Sequence, residues 1–129
     1  REIQEKSGET ILAIPADVTK KSDLEMFVKR TLKEFGRIDI LINNAGGPPP
    51  GTFQAITEAQ WRESFELNLM SAIRLIHLGL PSMKQQAWGR IINMTGSSAK
   101  QPLENLLLSN AFRPAVIGMA KHWLEKCGE

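Results

Sequence analysis

Asn43, Asn68, Ser97, Ser109 and Arg113 are polar side chains of this sequence whose types could do chemistry. Asn68 sits in a segment, Leu67 to Leu80, that is apolar nearly all round. An amide buried there without a partner is costly, so it is expected to hold a backbone group or an ordered water, as a core amide or in a relay. Ser97 lies in the polar turn Thr95-Gly96-Ser97-Ser98, where its hydroxyl can face a ligand or cap the turn. Ser109 offers a hydroxyl that stays protonated and is a weak acid. Arg113 offers a permanently charged fork that binds hydroxyls or a carboxylate but does not exchange protons near neutrality. The chain contains no tyrosine.

His77, His122 and Cys127 lack a paired spacing such as H-E-x-x-H or C-x-x-C, so no metal site is expected. His77 reads as a hydrogen-bonded interface residue, and Trp61, Trp88 and Trp123 as core or interface anchors. Sixteen Lys and Arg against 14 Asp and Glu give a formal charge of +2, interspersed without a basic run, so nothing favours nucleic acid. A single cysteine fits a reducing compartment, and no leader or membrane span is read in the sequence, so a cytoplasmic location is expected.

The elements that position these groups read as an alternation of strands and helices. Ile38 to Ile42 leaves only Asp39 polar, as expected of a strand covered on both faces, and Asn43-Asn44-Ala45-Gly46-Gly47 ends it with little side-chain bulk. Ligands of open α/β sheets bind at that end. Upstream, residues 1 to 8 read as a helix tail closed by Gly8, so the sequence is expected to start mid-fold. Thr10 to Ala16 reads as a strand, followed by the turn Asp17-Val18-Thr19. A helix with a capping box at Ser22 to Glu25 then runs to Gly36. Downstream, Gly47 to Gly51 must be a loop. A capping box at Thr57 to Gln60 opens a long helix expected to bend or stop near Pro81. Gly89 to Met94 reads as a strand, and Leu103 to Gly128 as a helix that either starts late, with Pro114 in its first turn, or kinks there. The order points to βαβ units, a parallel sheet and one domain over 1–129.

The strand Gly-Arg-Ile-Asp-Ile-Leu-Ile followed by Asn43-Asn44-Ala45-Gly46 resembles the NNAG signature of the short-chain dehydrogenase/reductase family. The resemblance implies an α/β, Rossmann-like three-layer parallel sheet, of which this chain carries the central portion, without the Gly-rich βαβ start and the C-terminal strands. If these residues were the whole protein, cofactor affinity would be weak, because that Gly-rich turn holds the pyrophosphate. A fragment of a longer protein is the other reading. The implied cofactor is NAD or NADP, with Asp17 and Val18 near the adenine, Asn43, Ala45 and Gly46 near the ribose and strand end, Thr95 below the nicotinamide, and Arg113 also among the cofactor-binding residues, able to hydrogen-bond ribose hydroxyls.

The family's catalytic Asn matches Asn68. Counted without gaps from Gly89, its Ser falls on Gly96, its Tyr on Ser109 and its Lys on Arg113, with Ser97 one residue late. Leu108-Ser109-Asn110-Ala111-Phe112-Arg113 resembles the S-N-x-x-R variant of a divergent branch described as 3-oxoacyl-acyl-carrier-protein reductase-like. The implied activity is an NAD(P)-dependent oxidoreductase on a small carbonyl or alcohol, with Asn68, Ser97, Ser109 and Arg113 as its catalytic set. The loss of the Tyr acid leaves the alternative of a catalytically silent dinucleotide-binding or assembly module. Homodimers or homotetramers through the helices in 58–86 and 103–128 are also implied.

Overall fold

The computed structural model describes residues 8–126, so the expected helix tail before Gly8 and the lone Cys127 fall outside them. Helix α1 spans Lys21–Phe35 and buries Leu24 and Val28, four residues apart on one face. It ends at Gly36, whose φ of 78° a side chain would strain and whose N–H donates to the Leu32 carbonyl at 2.9 Å. The capping box expected at Ser22 does not form. The helix starts two residues earlier, with Lys20 at its N-cap, and Asp23 Oδ2 accepts the Asp17 N–H at 3.0 Å. That carboxylate therefore ties down the turn ahead of the helix instead of capping its end.

Strand β1 (Ile40–Asn43) pairs in parallel with β2 (Arg90–Asn93), Leu41 opposite Ile91 and Asn43 opposite Asn93. The α/β class and parallel sheet read from the sequence are what the chain adopts. Thr10 to Ala16, expected as a strand, is not one, because a ladder needs a neighbour and no segment pairs with it among the described residues. Coverage of β1 also differs from expectation. Leu41 packs with Ile76 and Met83 in a cluster joined by Ile91, Met119 and Trp123, whereas Ile40, Ile42 and Ile92 on the opposite face are about half exposed.

Helix α2 (Glu58–Phe65) begins with the expected capping box, in which Thr57 Oγ1 accepts the Gln60 N–H and Gln60 Oε1 accepts the Thr57 N–H. It runs into a π turn, Glu66–Met70, and then α3, Ser71–Gln85. Pro81 does not stop α3, since proline removes one N–H and the helix end is held elsewhere. Ser82 Oγ accepts the Ile38 N–H at 3.0 Å, and Gln86 Nε2 donates to the Ile38 carbonyl at 2.9 Å, anchoring the end of α3 to the entry of β1. Gly89 is required by close approach, because a Cβ there would lie 2.5 Å from Met83 Cγ.

A 3-10 turn, Ser97–Ala99, follows β2, and helix α4 spans Leu107–Lys126 with Pro114 well inside it. Residues 103–106 are not helical, because the Asn110 side chain takes both polar groups of Leu103, at 3.0 and 2.8 Å. The Gly-Pro loop is pinned to this segment: Gly51 N–H donates to Asn105 O and Leu107 N–H to Gly51 O.

Candidate functional site

Both strands end on an asparagine, and parallel pairing sets those residues side by side. Asn43 Nδ2 donates to Asn93 Oδ1 at 2.8 Å, and Asn43 is buried. From the helical layer the π turn presents Asn68, also buried, whose Nδ2 donates to the Gly46 carbonyl at 2.7 Å. This is the backbone partner that an amide in so apolar a helix requires. A carbonyl oxygen only accepts, so this bond fixes the amide orientation and leaves Asn68 Oδ1 as a buried acceptor without a partner, as Asn43 Oδ1 also is. π turns in α-helices are frequent at functional sites.

A cavity of about 260 Å³ opens at these strand ends. Its polar side is formed by Asn43, Asn68, Asn93, Thr95 and Arg113, and its apolar side by Ile14, Val18, Leu24, Phe27 and Leu75. Of the residues chosen from the sequence, Val18, Asn43, Ala45, Asn68, Thr95 and Arg113 thus share one space. Gly46 joins it through its carbonyl. Arg113 Nη1 donates to Met94 O at 3.3 Å, and the side chain crosses Gly96, whose Cβ position would stand 3.6 Å from Arg113 Cδ and Nε.

Asp17, Ser97 and Ser109 do not line the cavity. The exposed Asp17 carboxylate accepts from the Thr19 hydroxyl at 2.7 Å and the Thr19 N–H at 3.0 Å, with Lys20 nearby, and these hold it below its ordinary 3.8. Arg74 secures the same turn, donating to Thr19 O at 3.0 Å and Glu66 at 2.6 Å. Ser97 is exposed at the start of the 3-10 turn, and the serine that meets Ser109 is Ser98, at 2.7 Å between two buried hydroxyls. Gap-free counting could not find Ser98, because the tight turn folds it back toward α4. Asn93 was not among the residues chosen from the sequence, although Ile-Leu-Ile-Asn and Arg-Ile-Ile-Asn end alike and that likeness could have found it. Among the described residues, no three His, Cys, Asp or Glu side chains gather where they could hold a metal ion, and no helix is long and apolar enough to cross a membrane.

The model of the short chain dehydrogenase family matches residues 1–128. The chain belongs to that family. It is 32% identical over 126 residues to the uncharacterized oxidoreductase YvrD of Bacillus subtilis, covering 97% of this chain and 48% of the relative. It is 38% identical over 119 residues to the L-fucose dehydrogenase of Mus musculus, covering 92% of this chain and 42% of the relative. The crystal structure of L-sorbose reductase from Gluconobacter frateurii, in complex with NADPH and L-sorbose, superposes with a TM-score of 0.92 at 29% identity, over 97% of this chain and 48% of that one. The short-chain dehydrogenase described here spans about half the length of the curated relatives it matches. Its Rossmann-like α/β fold accordingly corresponds to about half of the solved relatives.

Proposed function

We propose that this short-chain dehydrogenase acts in an NAD(P)-dependent oxidoreductase that interconverts a carbonyl and an alcohol. The observation that carries the reading is the convergence of Asn43, Asn68, Thr95 and Arg113 on one cavity at the carboxyl ends of two parallel strands, where α/β sheets bind ligands. The residues present fit the nicotinamide end of such a cofactor: its hydroxyl and amide groups match the unpartnered oxygens of Asn43 and Asn68 and the donors of Thr95 and Arg113. The open space at Gly46 and Gly47 admits a flat group close to the backbone. When bound, the cofactor supplies or accepts the hydride.

The chain's own residues bind and orient. Asn68 braces the Gly46 carbonyl and so shapes the strand end, and Arg113 puts fixed positive charge beside Met94 and Thr95. Neither Arg113 nor Ser109 delivers a proton readily at neutral pH. The buried contact of Ser109 with Ser98 favours a second reading, a silent cofactor-binding module, since the Tyr position is occupied by a hydroxyl already engaged. Self-association as a homodimer or homotetramer through the helices in 58–86 and 103–128 belongs to the same proposal, and within them Phe65 stays exposed while contacting Phe112. The small-molecule substrate and the choice between NAD and NADP are to be set by assay.

The deciding experiment is turnover of NADH and NADPH across a panel of aldehydes and ketones. Measurable oxidation that Asn68→Ala abolishes supports the enzyme. Cofactor binding with no turnover on any carbonyl supports the silent module.

A further inference from the structure

Residues 10–20 wall the cavity without belonging to the sheet. Ile14, Ala16 and Val18 line it, yet among the described residues no strand pairs with this segment. Its hydrogen bonds stay near in sequence, inside the turn Asp17-Val18-Thr19 and on to the first turn of α1, with one exception among the described residues. That exception is Arg74, whose Nη1 donates to the Thr19 carbonyl at 3.0 Å. Arg74 stands on α3, which gives Ser71, Ala72 and Leu75 to the same cavity, but does not line the cavity itself.

The same nitrogen donates to Glu66 Oε2 at 2.6 Å, in an ion pair whose side chains are 20% and 38% exposed. One guanidinium nitrogen carries two N–H groups, so it can serve both acceptors at once. Glu66 opens the π turn that presents Asn68, and its carbonyl accepts the Ser71 N–H at the far end of that turn. Ser71 Oγ donates to the Leu67 carbonyl at 2.5 Å, so the wide turn is held from within as well. π turns are rare in helices, and contacts of this kind keep one in place.

We propose that Arg74 is a positioning residue of the site, holding the wall of residues 14–18 and the π turn of Asn68 in one fixed relation. This rests on the reading of the cavity as the cofactor site and goes beyond it by assigning a residue that never touches the ligand. The two parts are 55 residues apart along the chain at the Arg74–Thr19 contact, so no local hydrogen bond can replace the link.

The test joins NADH and NADPH fluorescence titration of the full chain to NMR of the ligand-free chain, in wild type and five variants. Arg74→Met should weaken cofactor binding by about fivefold, the scale of one lost hydrogen bond to a charged group. Arg74→Lys should recover part of that loss, and Glu66→Gln, which keeps an acceptor, should lose less than Arg74→Met. Glu66→Gln/Arg74→Met should bind no worse than Arg74→Met, because both substitutions cut one link. Arg62→Met breaks an exposed ion pair on α2 and should leave affinity unchanged. In the ligand-free chain, Arg74→Met should shift the Val18 N–H and the Asn68 side-chain amide together and speed exchange of the amide protons facing Gly46 O, while Arg62→Met moves neither. Unchanged affinity in Arg74→Met, additive losses in the double variant, or a shift at Val18 without one at Asn68 each overturns the proposal. Wild type that binds cofactor beside unmoved resonances in Arg74→Met overturns only the assignment of Arg74. Paired shifts in a chain that binds neither cofactor support that assignment and overturn the oxidoreductase reading.

Discussion

Replacing Ser98 or Ser109 with alanine should cost more than either small side chain suggests. Their hydroxyls lie 2.7 Å apart, at residues 3% and 8% exposed, so each single substitution leaves the other hydroxyl buried and unpaired. The penalty for one such group is about 1–3 kcal/mol, whereas removing both partners can be nearly neutral. For a domain of this length, 1 kcal/mol shifts Tm by roughly 4 °C. Each single variant is therefore expected to melt roughly 4 to 12 °C below wild type. Ser98→Ala/Ser109→Ala should recover much of that loss, giving a coupling of about 1 kcal/mol or more in a double-mutant cycle. Urea unfolding of the four proteins, followed by circular dichroism, measures it. Additive losses, or a Ser98→Ala variant as stable as wild type, would refute the buried pair.

Gly89→Ala forces a methyl to within 2.7 Å of Met83 Cβ as well as its outer atoms, so loss of about 1–3 kcal/mol is expected by urea midpoint, and an unchanged midpoint contradicts the packing. Thr57→Ala removes half of the capping box of α2 and should cost about 1 kcal/mol, checked by the same midpoint against Thr57→Ser, which should be close to neutral. Thr19→Val removes the largest cause of the depressed Asp17 pKa, and carboxyl NMR titration should show that pKa rising toward its ordinary 3.8. Because the folded-state value is lowered, the associated stability is present above the ordinary value and disappears as pH falls through the folded-state one. The variant should therefore lose slightly less stability than wild type on acidification, and an unmoved pKa speaks against the Thr19 contacts.

Much of the site was legible because it is local. Asn43 to Gly46 announces a strand end with small residues, and the long apolar helix makes Asn68 conspicuous; both fall where two parallel strands finish. Gly36 and Thr57 mark helix ends through chemistry that acts within four residues. What the sequence could not show depends on partners distant in the chain. Thr10 to Ala16 has strand composition but no neighbour to pair with among the described residues, and the outward face of β1 has strand composition without cover there. Ser22 had capping spacing, yet the helix begins at Lys21, which puts Ser22 inside its first turn and leaves Asp23 to accept the Asp17 N–H. Ser97 and Ser98 are indistinguishable by composition, and only the tight turn after β2 decides that Ser98 is the one turned toward Ser109.

The most direct test of the cavity as the cofactor site is chemical-shift mapping of the isotope-labelled chain titrated with NADH and NADPH. Saturable shifts are expected at the side-chain amides of Asn43, Asn68 and Asn93, the Thr95 N–H and the Arg113 Nε–H, with residues of the exposed sheet face at Ile40 and Ile92, which do not line the cavity, moving less. Shifts confined to that exposed face, or no saturable shift with either cofactor, would contradict the assignment.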